Sequence, residues 1–287
     1  MKHFSVFFLA ALLFLPFRLL SMDWPSSTAV ITSNFGWNDG GLPHLGISFD
    51  ADGSLAAAED GELLYQRREG DTASRLPSPL GSWAALDHGD GIISIYSRFD
   101  DKQSDVIPGQ VEKGRVLGEA GISGWSIRKG FYFQLFDRKE RRWINPFMII
   151  TPPGDSRLPV ILQVSLRDAQ EKIYDPSQTK TLSQGRYIVS VEAVSRSSKE
   201  SPLAPYRIIC SLNGSEAGVL NFETFSARDG SLMINRNGLV PVRQVYSPAP
   251  GYEIAEVWLT RGQTTLEIIA QDIAGNSRNV VYRLAVE

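Results

Sequence analysis

The sequence predicts an all-β chain built from two successive antiparallel domains, and three observations carry that prediction. Short apolar runs alternate with clusters of Gly, Asp, Asn and Pro roughly every eight to twelve residues, the rhythm of strands joined by turns. No segment repeats its apolar residues at helical spacing over a convincing length. A break at 150–159, "ITPPGDSRLP", interrupts the series near the middle: Pro152, Pro153 and Pro159 remove backbone donors, and Gly154 loosens the chain between them. At 287 residues the chain has room for about two domains of ordinary size.

The elements follow in order. Lys2 and His3 precede an apolar run from Phe4 to Phe17, with the small residue Ser21 shortly after it. That is the pattern of a secretory signal peptide over 1–22, and the run is shorter than the roughly 20 residues that cross a bilayer. The alternative is an uncleaved anchor extended through Leu19 and Leu20, the one case in which the chain would contact a membrane. No Cys lies near the end of the segment, which excludes a lipoprotein anchor. The chain is therefore expected to be exported, to the periplasm or cell envelope.

From 23 to 150 the runs "AVITSNFGW", "HLGISFDA", "GELLYQ", "SWAALDHGDGIISIYSRF", "VLGEAG" and "FYFQLFD" read as strands. The polar stretch from Arg67 to Ser82 reads as a long exposed hairpin loop, and "VEKGRVLGEAG" as a strand, a tight turn at Lys113-Gly114 and a returning strand. After the linker at 151–159, the segment 160–287 supplies "PVILQVSL", "GRYIVSVEAVS", "YRIICSLNG", "EIAEVWL", "TTLEIIAQD" and "VVYRLAVE". About seven strands over such a length predict an immunoglobulin-like β-sandwich, closed by a hairpin through "DIAGNS". A domain of that kind spaces, docks or binds, so no chemistry is expected of it.

Composition narrows the partners. A formal charge of −3, with Lys and Arg scattered rather than striped, gives no attraction to nucleic acid. Cys210 is the only cysteine and lies inside "YRIICSL", so it is expected to be a buried strand residue, and stability must come from ordinary cores rather than disulfides.

Across the first domain the landmarks "ITSNFGW", "HLGISFD", "AAAEDGELL", "LDHGDGIISIYSRF", "VEKGRVLGEAGISGW", "GFYFQLF" and "WINP" stand in an order that resembles the LytM and lysostaphin class of zinc endopeptidases acting on peptidoglycan. The likeness runs from about Ile31 to Pro146 and implies an antiparallel LytM-like domain, the duplicated hybrid motif. It also implies a zinc site, and here the residues depart from the family. Its first two ligands, a His and an Asp four residues on, correspond to His44 and Ser48. Its His-x-His pair, a catalytic His followed by the third ligand, falls on Phe131 and Phe133 when "GFYFQL" is aligned with Gly-His-Leu-His-Phe-Glu. The further catalytic His that follows a Tyr-Ser pair is Arg98. His88 matches a family histidine that holds no zinc.

A catalytic zinc needs three protein ligands and an open position. Ser48 is a poor substitute for a carboxylate, and Asp50 on the same strand is displaced by about 6.6 Å where coordination tolerates about 2 Å. No catalytic residue, bound metal or cofactor is therefore expected, and the resemblance implies a pseudo-peptidase that binds peptidoglycan or an envelope protein such as a murein hydrolase. Two other readings stand beside it: an assembly scaffold using protein partners only, and an active zinc metalloendopeptidase with unconventional ligands. His44, Arg98, Trp125, Phe131 and Phe133 are the candidate groove residues. By their alternation alone Phe131 and Phe133 read as core, and the family alignment places them on the groove floor instead; His44 could be a relic or a hydrogen-bonding core residue, Arg98 a strand-end residue and Trp125 ordinary packing. An open cleft lined by Arg98, Trp125 and His44 would favour recognition, and a filled one scaffolding.

Overall fold

The computed structural model describes residues 22–68, 76–100, 109–151, 157–196 and 201–287. The predicted signal segment lies outside the described residues except for Met22, and so do residues 152–156 of the predicted linker. Among the described residues the chain is nearly all β, with two single turns of 3₁₀ helix, and no helix is long and apolar enough to cross a membrane.

The first lobe contains β1 (Val30–Ser33), β2 (Ile47–Asp50), β3 (Gly61–Arg67), β4 (Trp83–Asp87), β5 (Ile92–Ser97), β6 (Gly130–Asp137) and β7 (Arg142–Ile144). Strands β3, β4, β5 and β6 pair antiparallel in that order. The far edge of β6 is shared by β2, which pairs its first half, and β7, which pairs its second. One face of this sheet is apolar. Ile47, Phe49, Ala84, Leu86, Tyr96, Phe131, Phe133 and Leu135 point into a single buried core, with Phe49 stacked on Phe131 at 4.4 Å. The other face carries the alternate residues.

The turn at Lys113-Gly114 forms as expected, with Gly114 at φ +79°. Its flanks, however, do not pair with each other. Gln110–Val111 adds to β3, and Val116–Glu119 pairs with Ser54–Ala56, so the turn crosses between two ladders instead of closing a hairpin. The stretch 67–82 does connect a hairpin, since Arg67 lies opposite Trp83. Arg67 ties part of that connection down by donating to the carbonyls of Gly81 and Leu76.

The second lobe contains β8 (Val160–Asp168), β9 (Gly185–Arg196), β10 (Arg207–Leu212), β11 (Ser215–Arg228), β12 (Ser231–Arg236), β13 (Tyr252–Leu259), β14 (Gly262–Gln271) and β15 (Ser277–Val286). Strands β8, β9 and β13 form one sheet; β12, β11, β10, β14 and β15 form another, and both contribute to one core. Cys210 sits in that core, where burial pushes its thiol up to about 12. Strands β11 and β12 were not expected from the sequence, yet their turns are legible: Asn213-Gly214 and Asp229-Gly230 place both residues at positive φ, the conformation that Asn-Gly and Asp-Gly supply in tight hairpins.

Strand β11 also joins the lobes. Residues 215–221 pair with β10, and 224–226 pair with β7, so one sheet runs from the second lobe into the first. The segment that follows β1 is bound to the second lobe as well. Asn34 and Ala204 exchange two hydrogen bonds, at 2.9 and 2.7 Å, and the Gly36 carbonyl accepts from the hydroxyls of Tyr246 and Tyr252. Asn38 Nδ2 donates to the carbonyls of Ser247, Ala249 and Gly251. Phe35 is fully buried in the second lobe's core, against Phe225.

Candidate functional site

Cross-strand register defines the site. Trp83 lies opposite Ser97, Ser97 opposite Tyr132, and Tyr132 opposite Ser48, so these four side chains form a row across the polar face of the first sheet. Gln134, two residues after Tyr132, stands on the same face. His44 is brought to this row by its loop: the Gly36 N–H donates to the His44 carbonyl and the His44 N–H to the Trp37 carbonyl. The second lobe holds that loop through Gly36 and Asn38, so it positions His44 indirectly.

The structure gathers His44, Ser48 and Arg98, and it does not bring Phe131 or Phe133 to them. Both phenyl rings are fully buried on the opposite face, in the core with Phe49 and Tyr96. Their placement on a groove floor is therefore corrected to core. The side chains that face Ser48 from β6 are Tyr132 and Gln134, one residue further along. A single-residue slip in a strand moves every side chain to the other face, which is why the motif alignment gave the wrong rings. Trp125 is 77% exposed in the loop before β6, which is tied to the connection between β3 and β4 by the Trp125 N–H donating to the Pro79 carbonyl. His88 is structural: Nδ1 donates to the Asp60 carbonyl at 2.7 Å, and Nε2 accepts from the Ser94 hydroxyl at 2.6 Å.

Within the cluster the protons can be assigned. His44 Nδ1 lies 3.4 Å from the Gly46 carbonyl, which can only accept, so Nδ1 carries the hydrogen and Nε2 offers its lone pair. That lone pair faces Ser48 Oγ at 3.5 Å and receives its hydroxyl hydrogen, while Ser48 Oγ accepts from Arg98 Nη1 at 3.3 Å. The Arg98 guanidinium stands 5.2 Å over the Tyr132 ring, and the His44 ring meets Tyr132 edge-on. Tyr132 Oη accepts from the Leu45 N–H and from Gln134 Nε2. Burial holds the phenol well above its ordinary range, so it is neutral.

This donor set does not fit zinc. The His44 lone pair is engaged by Ser48, the Ser48 oxygen is a neutral hydroxyl, Tyr132 and Gln134 supply a protonated phenol and an amide, and a guanidinium cation occupies the neighbourhood a dication would need. Among the described residues no three His, Cys, Asp or Glu side chains group as metal ligands.

Burial, opposed by the Gly46 carbonyl and reinforced by Arg98, lowers His44 to about 4. The unfolded imidazole titrates near 6.5. Because the folded value lies below the unfolded one, this contribution to stability is fully present above about pH 6.5 and is lost as pH falls toward 4. His44→Gln is expected to flatten that part of the stability profile, read as the denaturant midpoint at pH 7 against pH 4.5. An unchanged slope would exclude His44 as its source.

A family model that carries no descriptive name matches residues 158–287. No curated protein matches the chain. Among solved structures, the chain is similar to a variant catalytic domain of the prophage-encoded M23 protein EnpA from Enterococcus faecalis, at 24% identity over 39% of this chain and 83% of that one, with a TM-score of 0.33. It is similar to the catalytic domain of the antimicrobial peptidase lysostaphin from Staphylococcus simulans, at 20% identity over 37% of this chain and 77% of that one, with a TM-score of 0.31. A third likeness is to the SpoIIQ–SpoIIIAH pore-forming complex, at 16% identity over 46% of this chain and 92% of the matched chain, with a TM-score of 0.37.

Proposed function

We propose that this chain is a non-hydrolytic envelope protein: a LytM-type first lobe without its metal, followed by an immunoglobulin-like lobe, exported to the cell envelope and acting by binding. The observation that carries this reading is the relay from Arg98 through Ser48 to the Gly46 carbonyl by way of His44. It turns the position of a metal ligand set into a closed chain of hydrogen bonds with a cation at one end. Hydrolysis of an amide there would need an activated water, and no side chain in the relay supplies a metal or a general base with a free lone pair. An active zinc endopeptidase with unconventional ligands is the reading this chemistry disfavours most.

The occupant we favour is peptidoglycan. Arg98 and His44 are only partly buried at the edge of a sheet face that also carries Trp83 and Tyr132, a combination suited to short peptide or sugar ligands. The expected result is that the chain from Met22 to Glu287, which keeps both lobes, sediments with isolated sacculi and releases no soluble muropeptides, with or without added zinc. Release of muropeptides would overturn the non-hydrolytic reading. Absence of sedimentation would transfer the role to a protein partner and favour the assembly scaffold.

A further inference from the structure

Two arginines that are withdrawn from water, Arg167 and Arg67, have partners that absorb their charge or their N–H groups: Arg167 pairs with Glu171 and Glu253, and Arg67 donates to the carbonyls of Gly81 and Leu76. Arg98 is different. It is partly buried, and among the described residues the only hydrogen bond of its guanidinium is to the neutral Ser48 hydroxyl, at 3.3 Å. No described carboxylate lies within ion-pair distance of it, and its remaining contact is with the face of the Tyr132 ring. Among the described residues, one of the five N–H groups of this guanidinium is engaged.

The backbone makes the placement deliberate. Arg98 sits at φ +72°, a conformation that L-residues adopt at a cost and keep where surrounding structure enforces it. The enforcement is visible: the Arg98 N–H donates to the Leu80 carbonyl, the Phe99 N–H donates to the Ser82 carbonyl, and Phe99 is buried in the core. A partly desolvated cation without an anion is unfavourable, and its natural complement is a ligand that brings the anion. A planar fork with free N–H groups favours a carboxylate, which can accept two of them in parallel.

We infer that Arg98 is a receptor for the C-terminal carboxylate of a short peptide, which it holds over Ser48 and beside the Tyr132 ring. The inference deepens the binding role proposed above and rests on it: a groove that no longer cleaves peptide would still orient one by its free end. Arg98 then acts as the specificity-determining residue, and Ser48 and Tyr132 fix the plane of its guanidinium.

The test uses the chain from Met22 to Glu287 and diacetyl-Lys-D-Ala-D-Ala as the probe, compared by calorimetric titration with the same peptide as its C-terminal amide. The free acid is expected to bind at least about tenfold more tightly than the amide, since a charge-assisted bidentate contact is replaced by a neutral one. Arg98→Gln is expected to abolish that preference, and Arg98→Lys to keep part of it, because the charge survives and the fork does not. Thermal unfolding of each variant checks that the fold is retained. Equal affinity for acid and amide, a preference that survives Arg98→Gln, or no binding of the free acid would each overturn the inference. Sedimentation with sacculi separates this from the broader reading: if Arg98→Gln still sediments while the acid preference is absent from the parent chain, the cell-wall reading stands and the carboxylate receptor falls.

Discussion

The segment 22–151, made without the rest of the chain, is expected to show no cooperative thermal unfolding transition. Cutting there removes β11 from β7 and leaves an open sheet edge at Arg142–Ile144. It also exposes Phe35, buried completely in the second lobe's core against Phe225, together with one side of Trp143 and Leu45. Exposing such side chains costs about 1.5–3 kcal/mol each, against a total domain stability of about 5–15 kcal/mol. The paired amides of Asn34 and Asn38 and the Gly36 carbonyl lose their partners in the same cut. A substitution reads the same coupling in the whole chain. Gly36→Ala places a Cβ 2.3 Å from a Phe222 ring carbon at φ +85°, so it must distort the junction, and a loss of about 3 kcal/mol or more is expected. Cooperative melting of 22–151 near the temperature of the full chain would show that the lobes are independent.

How far the sequence revealed this molecule depended on what each strand faces. Strands with one wet face announced themselves by alternation: β9 reads Tyr187, Val189, Val191 and Ala193 inward, with polar or partly exposed residues between them. β6 was found but not phased, because it is central and its residues from Gly130 to Leu135 are all buried. In such a strand hydrophobicity carries no face information. The one usable signal was Gln134, the only amide in the run, whose phase marks the polar face and puts Tyr132 on it. β11 was missed, although Asn213-Gly214 and Asp229-Gly230 frame it with strong hairpin turns and its length of 14 residues is more than one sandwich strand needs. That extra length is what reaches the first lobe. The relay of Arg98, Ser48 and His44 could be listed from sequence as three positions, but the proton order within it follows only from the carbonyl of Gly46, which no motif specifies.

The phase of β6 leads to the largest discriminating effect. If Tyr132 and Gln134 are the positions that look toward Ser48 and His44, then Ser48→Asp, Tyr132→His and Gln134→His together, with Arg98→Ala to remove the competing cation, are expected to create a zinc site. The carboxylate and imidazoles would then join His44 on one face, whose lone pair is no longer met by a serine hydroxyl. Equilibrium dialysis is expected to give about one tightly held zinc per chain, with the parent holding none. The same histidines placed at Phe131 and Phe133, again with Ser48→Asp and Arg98→Ala, are expected to fail for a physical reason unrelated to metal. Both rings are fully buried against Phe49 and Tyr96, and truncating a buried phenylalanine costs about 3–5 kcal/mol before the unpaired polarity of an imidazole is added. Two such losses reach or exceed the stability of an ordinary domain, so that variant should be insoluble or unfolded at room temperature. A folded, zinc-binding protein from the Phe131 and Phe133 set, with none from the Tyr132 and Gln134 set, would reverse the assignment of faces and with it the location of the groove. The contrast is large because one residue of register separates a core position from a site position, and the two faces demand opposite chemistry.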